Sequence, residues 1–213
     1  MTRPAPEPEA GLVTFDVLVA DGAETVPALV ARITDDTTLR LRHSPGFLSS
    51  RVHVSADGRS VITRSLWRSE QDHREALRTA RSADGRRSRA ATTRAFRGRP
   101  APAISGPALG RPPEVVAVAT RHLRHPDCFP LLMDLLEDSA EWKRHHRGFI
   151  SATPHLGLDG TTFVNYPMWA DEDSYRAWMA DPRISEGQEE IARLEAAEPE
   201  YLLCTVAAHI DAA

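Results

Sequence analysis

The chain has 213 residues, of which 41% are hydrophobic, and its formal net charge at pH 7 is −4. This length suits two domains of about 100 residues each, and the mildly acidic charge argues against nucleic acid as the main partner. No apolar run approaches the roughly 18 to 20 residues of a membrane span, and the start of the chain carries no hydrophobic core of a signal peptide, so we expect a cytoplasmic protein with no membrane partner.

One segment of the chain occurs twice. Residues 46–67 return as residues 148–169 at a constant spacing of 102 residues, and both copies carry Gly-Phe, His, Asp-Gly and Trp at matching places. A repeat this long exceeds a solenoid or propeller unit, so each copy is predicted to form one compact domain, and the pair an intramolecular pseudo-dimer. The predicted segments are a disordered N-terminus at 1–11, a first domain at 12–99, a proline-rich linker at 100–113 and a second domain at 114–213.

The first copy carries the hydrophobic patterns of strands and helices in turn. Alternation predicts strands, apolar residues three and four apart predict a helix, and Asp57-Gly58 supplies the turn of a hairpin. The predicted elements are strand 12–20, helix 26–42, strand 47–54, strand 60–67 and a helix from residue 69.

The second copy repeats this plan around the turn Asp159-Gly160. Its predicted elements are strand 114–123, a helix around 132–140, a hairpin over 149–169, helices 171–179 and 184–196, and strand 201–210. The order β-α-β-β-α-β predicts an α+β fold of the ferredoxin-like, split βαβ class, with an antiparallel sheet and helices on one face.

An arginine-rich segment separates the copies. Residues 74–99 contain nine arginines against two acidic residues, and prolines follow. One interpretation is a patch that binds polyanions. The other is a solvated helix face followed by a semi-rigid linker, and we favour it because Phe96 is the only aromatic residue available to stack on bases.

The candidate site lies on the second hairpin and the helix after it. Asn165 and Trp169 are four apart on a strand and share a face, beside Phe163, and Tyr175 follows on the next helix. An amide, an indole N–H and a phenol beside an apolar cavity suit a planar oxygenated ligand. No metal-ligand spacing or glycine-rich nucleotide loop is visible, so we expect neither a metal nor a bound cofactor.

The first copy breaks this set. Thr63 and His73 stand where the second copy has Asn165 and Tyr175, whereas Trp67 persists. We therefore expect the second domain to be active and the first to hold a degenerate site.

These motifs resemble the antibiotic biosynthesis monooxygenase family, whose members form dimeric α+β barrels. The resemblance rests on Pro-Gly-Phe-Leu-Ser-Ser at 45–50, on Val-Asn-Tyr-Pro-Met-Trp at 164–169, and on Asp-Pro-Arg at 181–183. The sequence is similar above all to monooxygenases that oxidise anthrones to quinones in aromatic polyketide pathways. The resemblance implies that the reaction uses molecular oxygen as co-substrate and needs no metal or flavin.

The resemblance implies roles for particular residues. Catalytic roles fall to Asn165, Trp169 and Tyr175, and to His155 only if the hairpin register turns it towards the cavity, because a shift of one residue flips its facing. The residues expected to contact a small aromatic substrate are Phe163, Trp178, Trp67 and His73. Where relatives carry an arginine this chain has Gln188, with Arg183 and Arg193 nearby.

Other functions remain open on the same fold. A polyketide cyclase or a non-catalytic ligand-binding protein is an alternative. A haem-degrading monooxygenase is a weaker one, because such enzymes need an asparagine on the first strand, whereas Asn165 is the only asparagine and lies on the third. Further homodimerisation is also left open.

Overall fold

The computed structural model describes residues 9–83 and 92–213, which form two compact units. The first-repeat unit comprises the described part of Glu7–Arg99 together with Thr205–Ala213. The second-repeat unit comprises Pro100–Cys204. Most of the predicted disordered N-terminus, residues 1–8, and residues 84–91 of the arginine-rich segment lie outside the described residues.

The first-repeat unit is an antiparallel sheet with two helices. Its strands lie in the order β4-β1-β3-β2, and β1 pairs with both β3 and β4. Ile210, near the end of the chain, packs in the core of this unit against Leu18 and Val52. The elements are β1 (Leu12–Val19), α1 (Val26–Leu39), β2 (Phe47–Ser55), β3 (Ser60–Trp67), α2 (Glu70–Ala83) and β4 (Thr92–Pro100).

The second-repeat unit has the same topology. Its strands lie in the order β9-β6-β8-β7-β5, all antiparallel, and residues 200–204 of β9 pair with β6. The elements are β5 (Ile104–Ser105), β6 (Val115–His122), α3 (Cys128–Lys143), β7 (Phe149–Gly157), β8 (Thr162–Trp169), α4 (Glu172–Met179), α5 (Pro182–Ala192) and β9 (Glu200–Asp211). The predicted α+β, ferredoxin-like class is confirmed for each unit.

Local sequence signals explain where these elements begin and turn. Gly58 and Gly160 adopt φ of 64° and 77° in the two hairpin loops, a conformation that glycine reaches without a Cβ clash. The Asp171 side chain accepts a hydrogen bond of 2.8 Å from the Ser174 amide and so caps α4. Asp181 caps α5 in the same way, and Pro182 begins it.

The arginine-rich segment departs from the expected helix. Helix α2 ends at Ala83, and Thr92–Pro100 forms a strand that pairs with β1. Phe96 anchors this strand, because it is buried and contacts Phe15 edge-on at 5.7 Å between ring centroids. The favoured solvated-helix interpretation is therefore wrong for residues 92–99. In the described ranges every helix is too short or too polar to cross a membrane.

Candidate active site in the second-repeat unit

The register of the second hairpin decides which side chains share a face. Asn165 pairs with Pro154 on β7 and with Ala119 on β6. Phe163, Asn165 and Trp169 therefore point to the same side of the sheet, because residues two apart on a strand share a face. This confirms the predicted common face of β8.

A cavity of about 260 Å³ lies on this face. Asn165 supplies the only side-chain amide in its lining. The charged lining residues are Lys143, which is buried, and Arg144 and Glu137, which are exposed. Most of the other wall is apolar, which suits a largely hydrophobic ligand with a few polar anchors. The lining residues are Pro102, Ala103, Ile104, Met133, Leu136, Glu137, Ser139, Ala140, Lys143, Arg144, Ala152, Pro154 and Asn165.

One wall of the cavity comes from residues 102–104, in the segment expected to be a linker. The Ala101 amide donates to the Pro154 carbonyl at 2.8 Å, and Ile104 pairs with Ala152. The Gly106 amide then donates to the Ile150 carbonyl at 2.9 Å. These bonds join the segment to β7, so it encloses the site rather than acting as a spacer.

Lys143 ends helix α3 with its side chain among aromatic rings. The Nζ atom lies 4.9 Å from the ring centroid of Trp178, 5.2 Å from that of Phe149 and 5.8 Å from that of Trp169. Burial lowers the pKa of the Lys143 ammonium from 10.5 to about 8, because the charged form loses water. Among the described residues the ammonium has no ion pair with a carboxylate.

Trp169 is fully buried at the centre of this aromatic cluster, which we define as Phe149, Trp169 and Trp178. Its Nε1–H has no hydrogen-bond partner among the described residues, an uncommon state for a buried donor. The half-buried Tyr175 ring lies 6.0 Å from Trp169, and burial raises the pKa of its phenol. Trp142 stacks on Trp178 at 4.0 Å. The structure thus brings Trp169, Tyr175 and Trp178 together, while Asn165 lines the adjacent cavity.

His155 lies on the opposite face of the sheet from Asn165. It pairs with Val164 rather than Asn165, is fully buried, and its Nδ1 lies 3.1 Å from the Val164 carbonyl oxygen. His53 makes the same 3.1 Å contact with the Ile62 carbonyl in the first repeat, and burial lowers its pKa to about 3. The register therefore removes His155 from the proposed catalytic set, and its repetition in both copies indicates a structural role.

Phe163 is also a core residue rather than a lining one. It is fully buried in a second cluster with Leu123, Leu132 and Ile191, and its ring lies 6.1 Å from that of Phe129. It shares the face of Asn165 but is absent from the wall of the cavity.

The first-repeat unit keeps part of the aromatic arrangement. Trp67 is buried with its Nε1 unpartnered within the described residues, and His73 lies 5.1 Å from it, edge-on. Burial lowers the pKa of His73 to about 4. Thr63, at the place of Asn165, pairs with Asp16, whose carboxyl pKa is raised by burial. The predicted substrate contacts of Trp67 and His73 stay predictions.

A buried polar network occupies the region of Gln188. Arg121 on β6 donates to Glu195 at 2.6 Å, to Gln188 at 2.6 Å and to the Tyr201 hydroxyl at 2.9 Å. Arg121 and Glu195 are almost fully buried, so this guanidinium is committed to the fold.

The two other arginines near Gln188 lie at the surface. Arg183 pairs with Asp181 at 2.7 Å and lies over the Trp142 ring, and Arg193 is exposed. In the described ranges no group of three or more His, Cys, Asp or Glu side chains could hold a metal ion.

The sequence interpretation missed Lys143 and the wall at residues 102–104. One signal for Lys143 was available, because it is the only lysine in the chain and corresponds to Leu41 in the first repeat. No comparable signal marked the wall, since proline-rich segments usually read as linkers.

No protein-family model matches the chain. Over 50 residues, or 24% of the chain, it is 46% identical to the tetracenomycin-F1 monooxygenase of Streptomyces glaucescens, and the chain spans 45% of that curated relative. Among solved structures, an anthrone oxidase-like protein has a TM-score of 0.79 at 17% identity, covering 96% of this chain and 94% of its own. A Streptomyces coelicolor monooxygenase, solved in complex with nanaomycin D, is 36% identical over 44% of this chain and 87% of its own, with a TM-score of 0.42.

The chain is therefore a protein of the antibiotic biosynthesis monooxygenase fold, with two copies of the repeat in one polypeptide. Within that class its fold matches that of an anthrone oxidase-like protein over nearly its whole length.

Proposed function

We propose that this chain is a cofactor-independent monooxygenase that converts a phenolic, anthrone-like polycyclic substrate to a quinone with molecular oxygen. The observation that carries the proposal is the cavity of the second-repeat unit, where the Asn165 amide and the Lys143 side chain border an otherwise largely apolar space. A planar aromatic ligand with one or two oxygens needs such a combination of apolar walls and few polar anchors.

Similarity to known monooxygenases supports the same chemistry. The segment that matches tetracenomycin-F1 monooxygenase at 46% identity gives a local relationship to an enzyme of that name. The fold shared with an anthrone oxidase-like protein makes a related substrate class a reasonable extension.

The reaction needs no external reductant, because the substrate supplies the electrons. Loss of a proton from the anthrone methylene gives an enolate, which transfers one electron to dioxygen. The resulting radical and superoxide combine to form a C–O bond, and the peroxide then loses water as its O–O bond breaks. In sum, a methylene and one dioxygen become a carbonyl and one water.

The proposed roles of the protein follow from this sequence. The Asn165 amide N–H donates to the enolate oxygen, and an oriented donor in a water-poor cavity typically stabilises such charge by about 3 kcal/mol. Trp169 and Tyr175 form the aromatic support behind the cavity.

The test is consumption of dioxygen together with quinone absorbance, using 1,8-dihydroxyanthrone and chelator-treated protein. We expect one dioxygen consumed per quinone formed, at a rate well above that of substrate alone. Asn165→Ala should lower this rate by about 100-fold, whereas the matched Thr63→Ala of the first repeat should leave it unchanged. Saturable binding of the anthrone without oxygen uptake would contradict oxidation and favour the ligand-binding or cyclase alternatives. Activity restored only by haem would favour the haem alternative.

A further inference from the structure

The packing around Lys143 in the second-repeat unit does not require a charged side chain. The position of Lys143 in the second repeat corresponds to that of Leu41 in the first, and Leu41 packs there against the core cluster that contains Phe47 and Trp67. Phe47 and Trp67 correspond in turn to Phe149 and Trp169. The same local arrangement therefore forms around an aliphatic side chain, and the ammonium must be explained by something other than folding.

Burying this ammonium is unfavourable unless a partner compensates for lost hydration. Buried charges in proteins are normally paired with an opposite charge. No carboxylate of the described residues lies within ion-pair distance of Nζ, and the aromatic rings supply only a partial compensation. The missing partner therefore points to an anionic ligand that binds next to the Lys143 ammonium.

The surroundings of Lys143 leave the cavity as the place for that anion. Among the described residues, the other ionisable groups that line the cavity or contact the aromatic cluster are Glu137 on α3, Arg144 and His146 just after it, and Tyr175 on α4. Strands β7 and β8 contribute no ionisable residue to the described cavity wall. Both Lys143 and Asn165 line this cavity, so one ligand can meet the cation and the amide together.

We propose that Lys143 binds the oxyanion of the substrate, forming an ion pair with the phenolate or enolate oxygen inside the cavity. This inference rests on the proposed function, which supplies an oxyanion as the reactive form of the substrate. Lys143 would then stabilise the negative charge of the substrate. Gln188 is uncharged and unsuited to this role, and Arg121 is not available for it because it is bound to Glu195 and Gln188.

The experiment measures the ionisation of a bound ligand rather than turnover. Alizarin, a planar dihydroxyanthraquinone, does not react with dioxygen and changes colour when its phenol ionises. Its absorption spectrum is titrated with pH while bound to the full-length protein, to Lys143→Met, and to Arg176→Met. The last variant removes an exposed positive charge of the same unit, which pairs with Glu172.

We expect wild type and Arg176→Met to lower the phenol pKa of bound alizarin by about one unit or more, because a nearby cation favours the phenolate. Lys143→Met should abolish this shift and weaken phenolate binding about tenfold or more. Lys143→Leu, which installs the residue of the first repeat, provides a second variant expected to fold, and it should behave as Lys143→Met.

The outcomes separate this inference from the proposed function. The same phenol pKa in wild type and both Lys143 variants would overturn the inference while leaving the oxygenase proposal standing. No alizarin binding by wild type would overturn the inference together with the substrate class. A shift that depends on Lys143, in a protein that consumes no oxygen with the anthrone, would support the inference and overturn the oxygenase proposal.

Discussion

Replacing Lys143 by Met should stabilise the folded protein. A pKa lowered from 10.5 to about 8 means that the folded state disfavours the charged form by on the order of 3 kcal/mol at neutral pH, since one pKa unit corresponds to about 1.4 kcal/mol. Cation–π contacts with the aromatic cluster offset about 0.5 to 2 kcal/mol of this cost of burying the charge. Methionine fills a similar volume without charge, so we expect a net gain of about 1 to 2 kcal/mol.

The stability advantage of Lys143→Met over wild type should decrease as the pH rises. Between pH 8 and 10.5 the unfolded chain holds the Lys143 proton while the folded chain releases it, so the unfolding free energy of wild type rises with pH through this window. The advantage of Lys143→Met should be complete below pH 8 and should disappear towards pH 10.5.

Urea unfolding at pH 7 and pH 10 tests this expectation, with Arg176→Met as the exposed-charge control. In a separate thermal unfolding measurement at pH 7, the stabilisation should raise Tm by roughly 5 to 10 °C, as expected for a unit of about 100 residues. A variant less stable than wild type at pH 7, or an advantage that is equal at both pH values, would refute the view that the ammonium is held at a cost to folding.

Three further predictions concern the rest of the molecule. Trp169→Phe should lower kcat/KM by about tenfold or more, whereas Trp67→Phe should chiefly lower Tm; equal losses of activity would show that the first repeat is also a working site. Glu195→Ala should lower the unfolding free energy in urea by about 3 to 5 kcal/mol, because it leaves the Arg121 guanidinium buried and unpaired; a change under 1 kcal/mol would contradict this. Gly148→Ala should cost about 1 to 3 kcal/mol, since φ is 82° there and a Cβ would collide with the following helix; an unchanged Tm would rule out that strain.

The fold was largely predictable because its signals are local. Alternating strands and the glycines of two Asp-Gly turns predict both hairpins, whose observed bounds differ by a residue or so. Strand β4 was missed because the residues around Phe96 are mostly arginine, glycine and threonine, which carry little hydrophobic alternation. Its pairing with β1 depends on a long-range contact of Phe96 with Phe15.

The site was predictable only in part. Asn165 stood out as an amide on an apolar strand. The facing of His155 depended on a one-residue choice of register that loop length alone did not decide. Lys143 looked like an ordinary cation in the last turn of a helix, and its burial arises from Phe149, Trp169 and Trp178, which only the tertiary fold brings around it.

Isotope labelling of the quinone tests the proposed monooxygenation most directly. Chelator-treated protein would oxidise 1,8-dihydroxyanthrone under ¹⁸O₂ in ordinary water, with mass spectrometry of the product and parallel reactions lacking protein or containing Asn165→Ala. We expect one ¹⁸O atom in each quinone, formed at a rate that requires wild-type protein. Product oxygen drawn from water, or labelled quinone formed equally fast without the protein or with Asn165→Ala, would contradict the claim that this cavity performs the monooxygenation.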